Sequence, residues 1–368
     1  QLSILPATRT TPNWEPVELN WEAAAEKFTA FLSQLSKIYT SIASGQILMN
    51  EELEDTLSNL SSISRMFSEV YENINALVSK PDSDFIYWIE LSPNRNQIIL
   101  QIAPLQIGSM MEKYLWHEKA SIVLTSATLT TNEGFDYLRG RLNADEADEI
   151  VLGSPFDYQN SALLFLANDI PEPNNAAAYQ RAVENTIIKL AKATDGRMLA
   201  LFTSYAQLKR TSSAIASPLG EKGIVVYEQG EGASPNTLLE NFKTADKAVL
   251  LGTRSFWEGI DIPGEALSAL VIVKLPFDVP SDPIIAARSE TYDNPFNEFH
   301  LPEAILKFRQ GFGRLIRTQS DRGIVVLLDR RVLTKQYGKY FIESLPDCTI
   351  KTAPIQELPV IAKSWLGK

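Results

Sequence analysis

Two arginines, Arg314 and Arg317, stand three residues apart in the stretch QGFGRLIRTQSDRG, which runs from Gln310 to Gly323. A guanidinium is a planar fork of donors with a permanent charge, suited to a carboxylate or a phosphate. Residues three apart on a helix share a face, and the apolar spacing predicts a helix over 302–317 that would carry both. Gly311 and Gly313 would let another backbone or a ligand approach closely. Gln310 adds an amide to the same turn. In isolation this spacing fits a solvated arginine pair as well as an anion site, so the neighbouring residues must decide.

A second concentration of chemistry lies in GTRSFWEGID, residues 252–261. Glu258 and Asp261 cannot hold a phosphate unaided, because like charges repel. They suit orienting the arginines or meeting a ribose, and Gly259 between them permits a tight backbone. Thr253 and Ser255 offer donors to a nucleic-acid phosphate. Trp257 has two readings: a wedge packed between lobes, or a wedge on which a base stacks. Further hydroxyls stand in LTSATL (Thr125, Ser126, Thr128) and LFTSY (Ser204, Tyr205), and Gln229 and Gly230 follow another strand-like run.

The elements that must position these residues are legible from periodicity. Apolar residues at steps of three and four, from Trp21 to Ile42 and from Leu53 to Leu77, predict two long helices packed as an antiparallel hairpin. Asn20 is the expected N-cap and Gly45 the expected stop of the first. Residues 1–19 read as irregular. FIYWIEL and QIILQIA read as strands joined by SPNRN. SIVLTSATL, 121–129, reads as a buried strand. From 162 onward strands alternate with helices, which means a parallel sheet covered on both faces. In such sheets ligands bind beyond the carboxyl ends of the strands, where LFTSY, GTRSFWEGID and the LPF after ALVIVK fall.

The 368 residues suggest two or three domains, and a 45% hydrophobic content is ordinary for a globular chain. No apolar run reaches the roughly 18 residues of a membrane span, so no membrane is expected and the cytoplasm is the default. The chain begins with Gln1, which suggests a trimmed product. The single cysteine, Cys348, excludes an internal disulfide or a four-cysteine metal site, and His117 and His300 lack partners at ligand spacing. A net charge of −11 argues weakly against nucleic acid. Its distribution matters more: residues 301–340 hold nine Lys or Arg against three acids, and the arginine pair lies there.

LTSATL, SPFDY, LFTSY, GTRSFWEGIDIPG, KLPFDVPSDP and QGFGRLIRTQSDRGIVVLLDRR, in that order, resemble the helicase family that contains DinG and XPD. The resemblance covers nearly all of 96–346. It implies a fold of two RecA-like lobes that close on ATP and Mg²⁺, with movement 5′ to 3′ on single-stranded DNA. By resemblance Gln310, Arg314 and Arg317 reach the γ-phosphate, and Glu258, Gly259, Asp261, Thr125, Ser126 and Thr128 couple hydrolysis to movement. Ser204, Tyr205, Gln229, Gly230, Thr253, Ser255 and Trp257 would lie along the DNA.

No GxxxxGK[ST] phosphate loop and no DEAH-type box occurs in the chain. In the family both belong to the first lobe, so the sequence reads as a helicase tail. Residues 1–83 would be a helical arch-type region, 84–153 the end of the first lobe, and 154–368 the second lobe. Its partners would be single-stranded DNA and the missing first lobe. Many relatives carry an iron–sulfur cluster, which one cysteine cannot hold. Two alternatives remain: a parent that joins this motor to an exonuclease, and a non-enzymatic nucleic-acid-binding or regulatory module.

Overall fold

The computed structural model describes residues 1–42, 44, 51–92, 97–131, 134–230, 232–257, 262 and 264–367. They form two compact units, one of residues 1–107 with 279–291 and one of 108–278 with 292–368.

In the first unit the two long helices are Glu15–Ser41 and Glu51–Val78. Their stripes meet antiparallel as expected: Trp21 packs on Tyr71, with ring centroids 5.8 Å apart, while Phe28 and Phe31 pack on Phe67 at 5.9 and 5.1 Å. The first helix starts earlier than Asn20 because Pro16 fits the first turn, where its missing N–H costs nothing. Asn20 lies within the helix and donates to the Pro16 carbonyl. The expected stop at Gly45 and the turn at 93–96 lie outside the described residues.

Strands β1 (Leu2–Ser3), β2 (Phe85–Ser92) and β3 (Gln97–Pro104) form an antiparallel sheet in the order β1-β2-β3. The first nineteen residues, expected to be irregular, thus carry a short strand, the helical turn Pro6–Arg9 and the start of the first long helix. Arg9 lies over the Tyr87 ring at 4.8 Å and donates to the Leu77 carbonyl, while Trp14 Nε1 donates to the Val78 carbonyl. Arg288 ties 279–291 to the same unit by donating to the carbonyls of Pro104 and Leu105.

The second unit is built on seven parallel strands. They are β4 (Ala162–Ala167), β5 (Met198–Leu201), β6 (Val225–Glu228), β7 (Ala248–Gly252), β8 (Ala269–Ile272), β9 (Gly323–Leu327) and β10 (Thr349–Ala353). Their order is β10-β4-β9-β8-β5-β7-β6. The central strands are buried on both faces, as an all-parallel sheet requires. Tyr179, Val183, Ile187 and Leu190 of the helix Ala176–Thr194 cover one face, together with Leu208 and Ile215 of the helix Tyr205–Gly220. Leu238 and Phe242 of the helix Pro235–Thr244 cover the other, with Ile305, Phe308 and Phe312 of the helix Leu301–Phe312. The RecA-like α/β sheet read from the sequence is thus present. Strand β10 and the helix Leu358–Leu366 had not been anticipated.

Residues 121–126, expected as a buried strand, are irregular. Val123 is 86% and Leu124 46% exposed, and in the later segment IVL Ile150, Val151 and Leu152 are 75%, 73% and 77% exposed. A strand persists only where neighbours satisfy its backbone groups, and none of the described strands pairs with either segment.

Candidate functional site

The helix Leu301–Phe312 buries Ala304, Ile305, Phe308 and Phe312 against the sheet and turns Arg309 and Gln310 away from it. It ends five residues before the expected boundary. Gly313 caps it, and the chain turns as the Arg314 and Leu315 N–H groups donate to the Gly311 and Phe312 carbonyls. Glycine disfavours helix continuation. Asp321 then captures the next backbone donors: its carboxylate accepts from the N–H of Arg317 at 2.8 Å, the N–H of Thr318 at 2.9 Å and the Thr318 hydroxyl at 2.6 Å. The two arginines are therefore held by a turn, with buried Leu315 and Ile316 between them, and not by a shared helix face.

Burial would raise the Asp321 pKa, but these hydrogen bonds outweigh it and hold the carboxyl below its ordinary range. Arg314 is fixed through Nε and Nη2, which donate to the Trp257 carbonyl at 3.2 and 2.8 Å. Trp257 is only 4% exposed. Its Nε1 donates to the Phe202 carbonyl, and its ring fills the space above Gly311, where a Cβ would come within 2.8 Å of ring carbons. The indole thus packs within the second unit and is not an exposed platform among the described residues. The close approach that Gly311 permits is that of this indole.

Gln310 and Thr128, 182 residues apart in sequence, are brought together: Gln310 Nε2 donates to Thr128 Oγ1 at 3.4 Å. Ser126 Oγ accepts from the Thr128 N–H at 3.2 Å, so the hydroxyls of this turn order one another. Thr125 is exposed beside them. Gln310 Oε1 is buried with no hydrogen-bond partner among the described residues. Arg309 was missed in the sequence. It donates through Nη1 to the carbonyl and hydroxyl of Thr130 and through Nη2 to the Ala127 carbonyl. Burial pulls its pKa below the ordinary arginine value. Its place directly before Gln310 was the available signal. A second unanticipated clamp joins Glu303 to Tyr137 at 2.7 Å and to Arg141 at 2.8 Å; its 166- and 162-residue separations leave no local signature.

At the carboxyl ends of β6, β7 and β5 the structure gathers another set. Gln229 Oε1 accepts from both the N–H and the hydroxyl of Thr253 at 2.8 Å, and Gln229 Nε2 donates to Ser255 Oγ at 2.9 Å. The Thr253 donors are taken up by Gln229, whereas among the described residues the Ser255 hydroxyl hydrogen has no acceptor. Ser204 caps the helix Tyr205–Gly220 by accepting from the Gln207 N–H, and among the described residues its own hydrogen has no acceptor. The exposed Tyr205 lies across Gly230, whose φ of +102° and lack of a Cβ admit the phenol. Glu258, Gly259 and Asp261 lie outside the described residues.

The family of helicase C-terminal domains matches residues 187–348. The chain is 31% identical to the 3'-5' exonuclease DinG of Bacillus subtilis, over 94% of this chain and 39% of that protein. It is 35% identical to the ATP-dependent DNA helicase YoaA of Escherichia coli, over 71% of this chain and 41% of that one. This chain carries a helicase C-terminal domain and is similar to DinG and YoaA over most of its length. An apo XPD structure shares its fold with a TM-score of 0.55 at 21% identity, covering 83% of this chain and 63% of that one. The ATP-dependent DNA helicase DinG of Photobacterium profundum is 35% identical over 86% of this chain and 48% of its own length. The chain thus spans about half or less of the curated DinG and YoaA relatives it matches. The helicase C-terminal domain covers β5 through β9, the arginine turn and the set at the ends of β5, β6 and β7, while Thr125 to Thr130 lie outside it.

Proposed function

We propose that this chain is the carboxyl-terminal part of an ATP-dependent DNA helicase that moves 5′ to 3′ along single-stranded DNA. Residues 154–368 act as its second motor lobe, 84–153 as the end of its first, and 1–83 as an arch. The observation that carries this reading is the meeting of Gln310 with Thr128 beside a buried Gln310 Oε1 that has no hydrogen-bond partner among the described residues. An unpaired buried carbonyl oxygen is costly, and an attacking water or a bound nucleotide group would satisfy it. In this reading Arg314 and Arg317 neutralise charge that spreads over the transferring phosphoryl oxygens. An equivalent arginine in GTPases accelerates transfer by roughly 10³–10⁵. Glu258, Gly259 and Asp261 orient these arginines or meet the ribose.

The phosphates themselves need a cradle of backbone amides and a lysine, for which this sequence has no motif. Among the described residues no group of His, Cys, Asp or Glu could hold a metal ion. No step is assigned to Mg²⁺. The exposed apolar segments at 122–124 and 150–152 support a partner that adds strands beside them; in this reading it is the remainder of the first lobe. Ser204, Tyr205, Gln229, Gly230 and Ser255 contact the DNA backbone without reading bases. The described residues include no helix long and apolar enough to cross a membrane.

A second reading, a parent joining this motor to an exonuclease, is favoured by the name of the B. subtilis relative. Acidic metal ligands in the parent's remaining sequence would select it. The test of the motor reading is steady-state hydrolysis of ATP with single-stranded DNA. This chain alone is expected to show none, and a longer protein containing it is expected to show DNA-stimulated turnover. Turnover by the pure chain would overturn the divided site.

A further inference from the structure

The track at the ends of β6, β7 and β5 is made of neutral donors, yet the next strand end in the sheet carries a cation. Strand β8 is hydrogen-bonded to β5 with Leu201 opposite Ile272, and the ladder continues as the Val273 N–H donates to the Leu201 carbonyl at 3.1 Å. Lys274 follows at once, so it stands beside Thr203 and Ser204. Neighbouring strands lie about 4.8 Å apart, which sets the β8 end roughly 10 Å from the β7 end that carries Thr253.

The surroundings of Lys274 supply no counter-ion by hydrogen bond among the described residues. Its ammonium lies 5.4 Å from the centroid of the Tyr179 ring. Tyr179 is buried, and its hydroxyl donates to the Val273 carbonyl, which fixes the ring under the lysine. The acid nearest in charge, Asp329, is fully buried and already committed. Its oxygens accept from the Leu275 N–H at 2.9 Å, the Arg331 N–H at 3.1 Å, Arg331 Nε at 2.9 Å and Arg331 Nη2 at 2.6 Å. Burial lowers the Lys274 pKa, as expected of a half-buried cation that lacks a hydrogen-bonded anion. A lysine held this way is poised for an anion arriving from solvent.

We propose that Lys274 is a phosphate contact that extends the neutral track of Ser204, Tyr205 and Ser255 by one charge. The inference rests on the nucleic-acid reading above and adds a ligating residue to it. The ligand class is the phosphodiester of a single strand, since the track offers donors and no base-edge code. Lys274 then supplies one counterion-releasing contact, whereas the hydroxyls position the strand without adding to the salt dependence.

Fluorescence anisotropy of this chain with two unrelated single-stranded oligonucleotides, across a salt series, tests it. Lys274→Met keeps the aliphatic stem on Tyr179 and removes the charge. It should weaken both oligonucleotides alike, by roughly three- to tenfold at low salt, and make the slope of log affinity against log salt shallower by about 0.7. Lys274→Arg should keep the slope. If the wild type binds and Lys274→Met leaves affinity and slope unchanged, the inference fails while the track reading stands. If Lys274→Met lowers the melting temperature and Lys274→Arg loses the slope as well, the lysine is a packing residue and the inference also fails. A wild type that binds neither oligonucleotide at the lowest salt overturns both.

Discussion

Arg309 holds Thr130 twice, its Nη1 donating to the main-chain carbonyl oxygen and, at 3.0 Å, to the hydroxyl. With the Ala127 carbonyl on Nη2, one side chain grips the turn that also meets Gln310. Hydrogen bonds from a charged donor contribute about 1.5–3 kcal/mol each. Arg309→Ala should therefore leave the sheet intact and loosen residues 127–131. Amide hydrogen exchange there is expected to accelerate on the order of tenfold, with β4 to β9 unchanged. Unchanged protection of 127–131 would mean that this grip does not order the turn.

Trp257 should behave as core. Trp257→Ala removes a buried indole and is expected to destabilise the second unit by about 3–5 kcal/mol, read by denaturant unfolding. Trp257→Phe should recover much of that loss and bind single-stranded DNA as the wild type does. A Phe variant with wild-type stability but weakened binding to unrelated oligonucleotides would restore the stacking role.

What the sequence made legible follows from how local each signal is. The parallel sheet and the helical hairpin rest on periodicity within a dozen residues, and both were readable. The stretch RLIRTQSD was not, because its conformation is set by Gly313 and by the Asp321 carboxylate, and a spacing of three predicts one helix face only if the helix continues. Residues 121–129 have strand composition, but a strand is a property of a pair. Thr253 was read as a free donor, and only the structure shows that Gln229, 24 residues earlier, takes both of its hydrogens. Lys274 opens the motif KLPFDVPSDP and Arg309 directly precedes another, yet neither was given a role, since their meaning lies in which strand end or turn they meet.

Asp321 makes the arginine turn sensitive to acid. Its folded pKa lies below the ordinary 3.8, so its stabilising contribution is complete above that value and is lost as pH falls through the folded pKa. Between pH 7 and 5 the stability due to this group should be flat, and below about pH 4 it should decline. Asp321→Asn should destabilise the protein at pH 7 and reduce the difference from wild type in the acid range. Melting temperatures across pH 3–7 measure this. A gap between wild type and variant that does not change with pH would show that the carboxylate charge plays no part.

The central claim is that Arg314 and Arg317 serve a phosphate whose cradle lies outside this chain. It is tested most directly by Arg317→Ala in a longer protein that contains the chain, with kcat for ATP and affinity for single-stranded DNA measured side by side. Charge that meets only the transition state appears in kcat. The expected result is a fall in kcat of roughly 10³ or more, with DNA affinity within about twofold of wild type. DNA-stimulated hydrolysis left intact, with DNA binding weakened, would contradict the account.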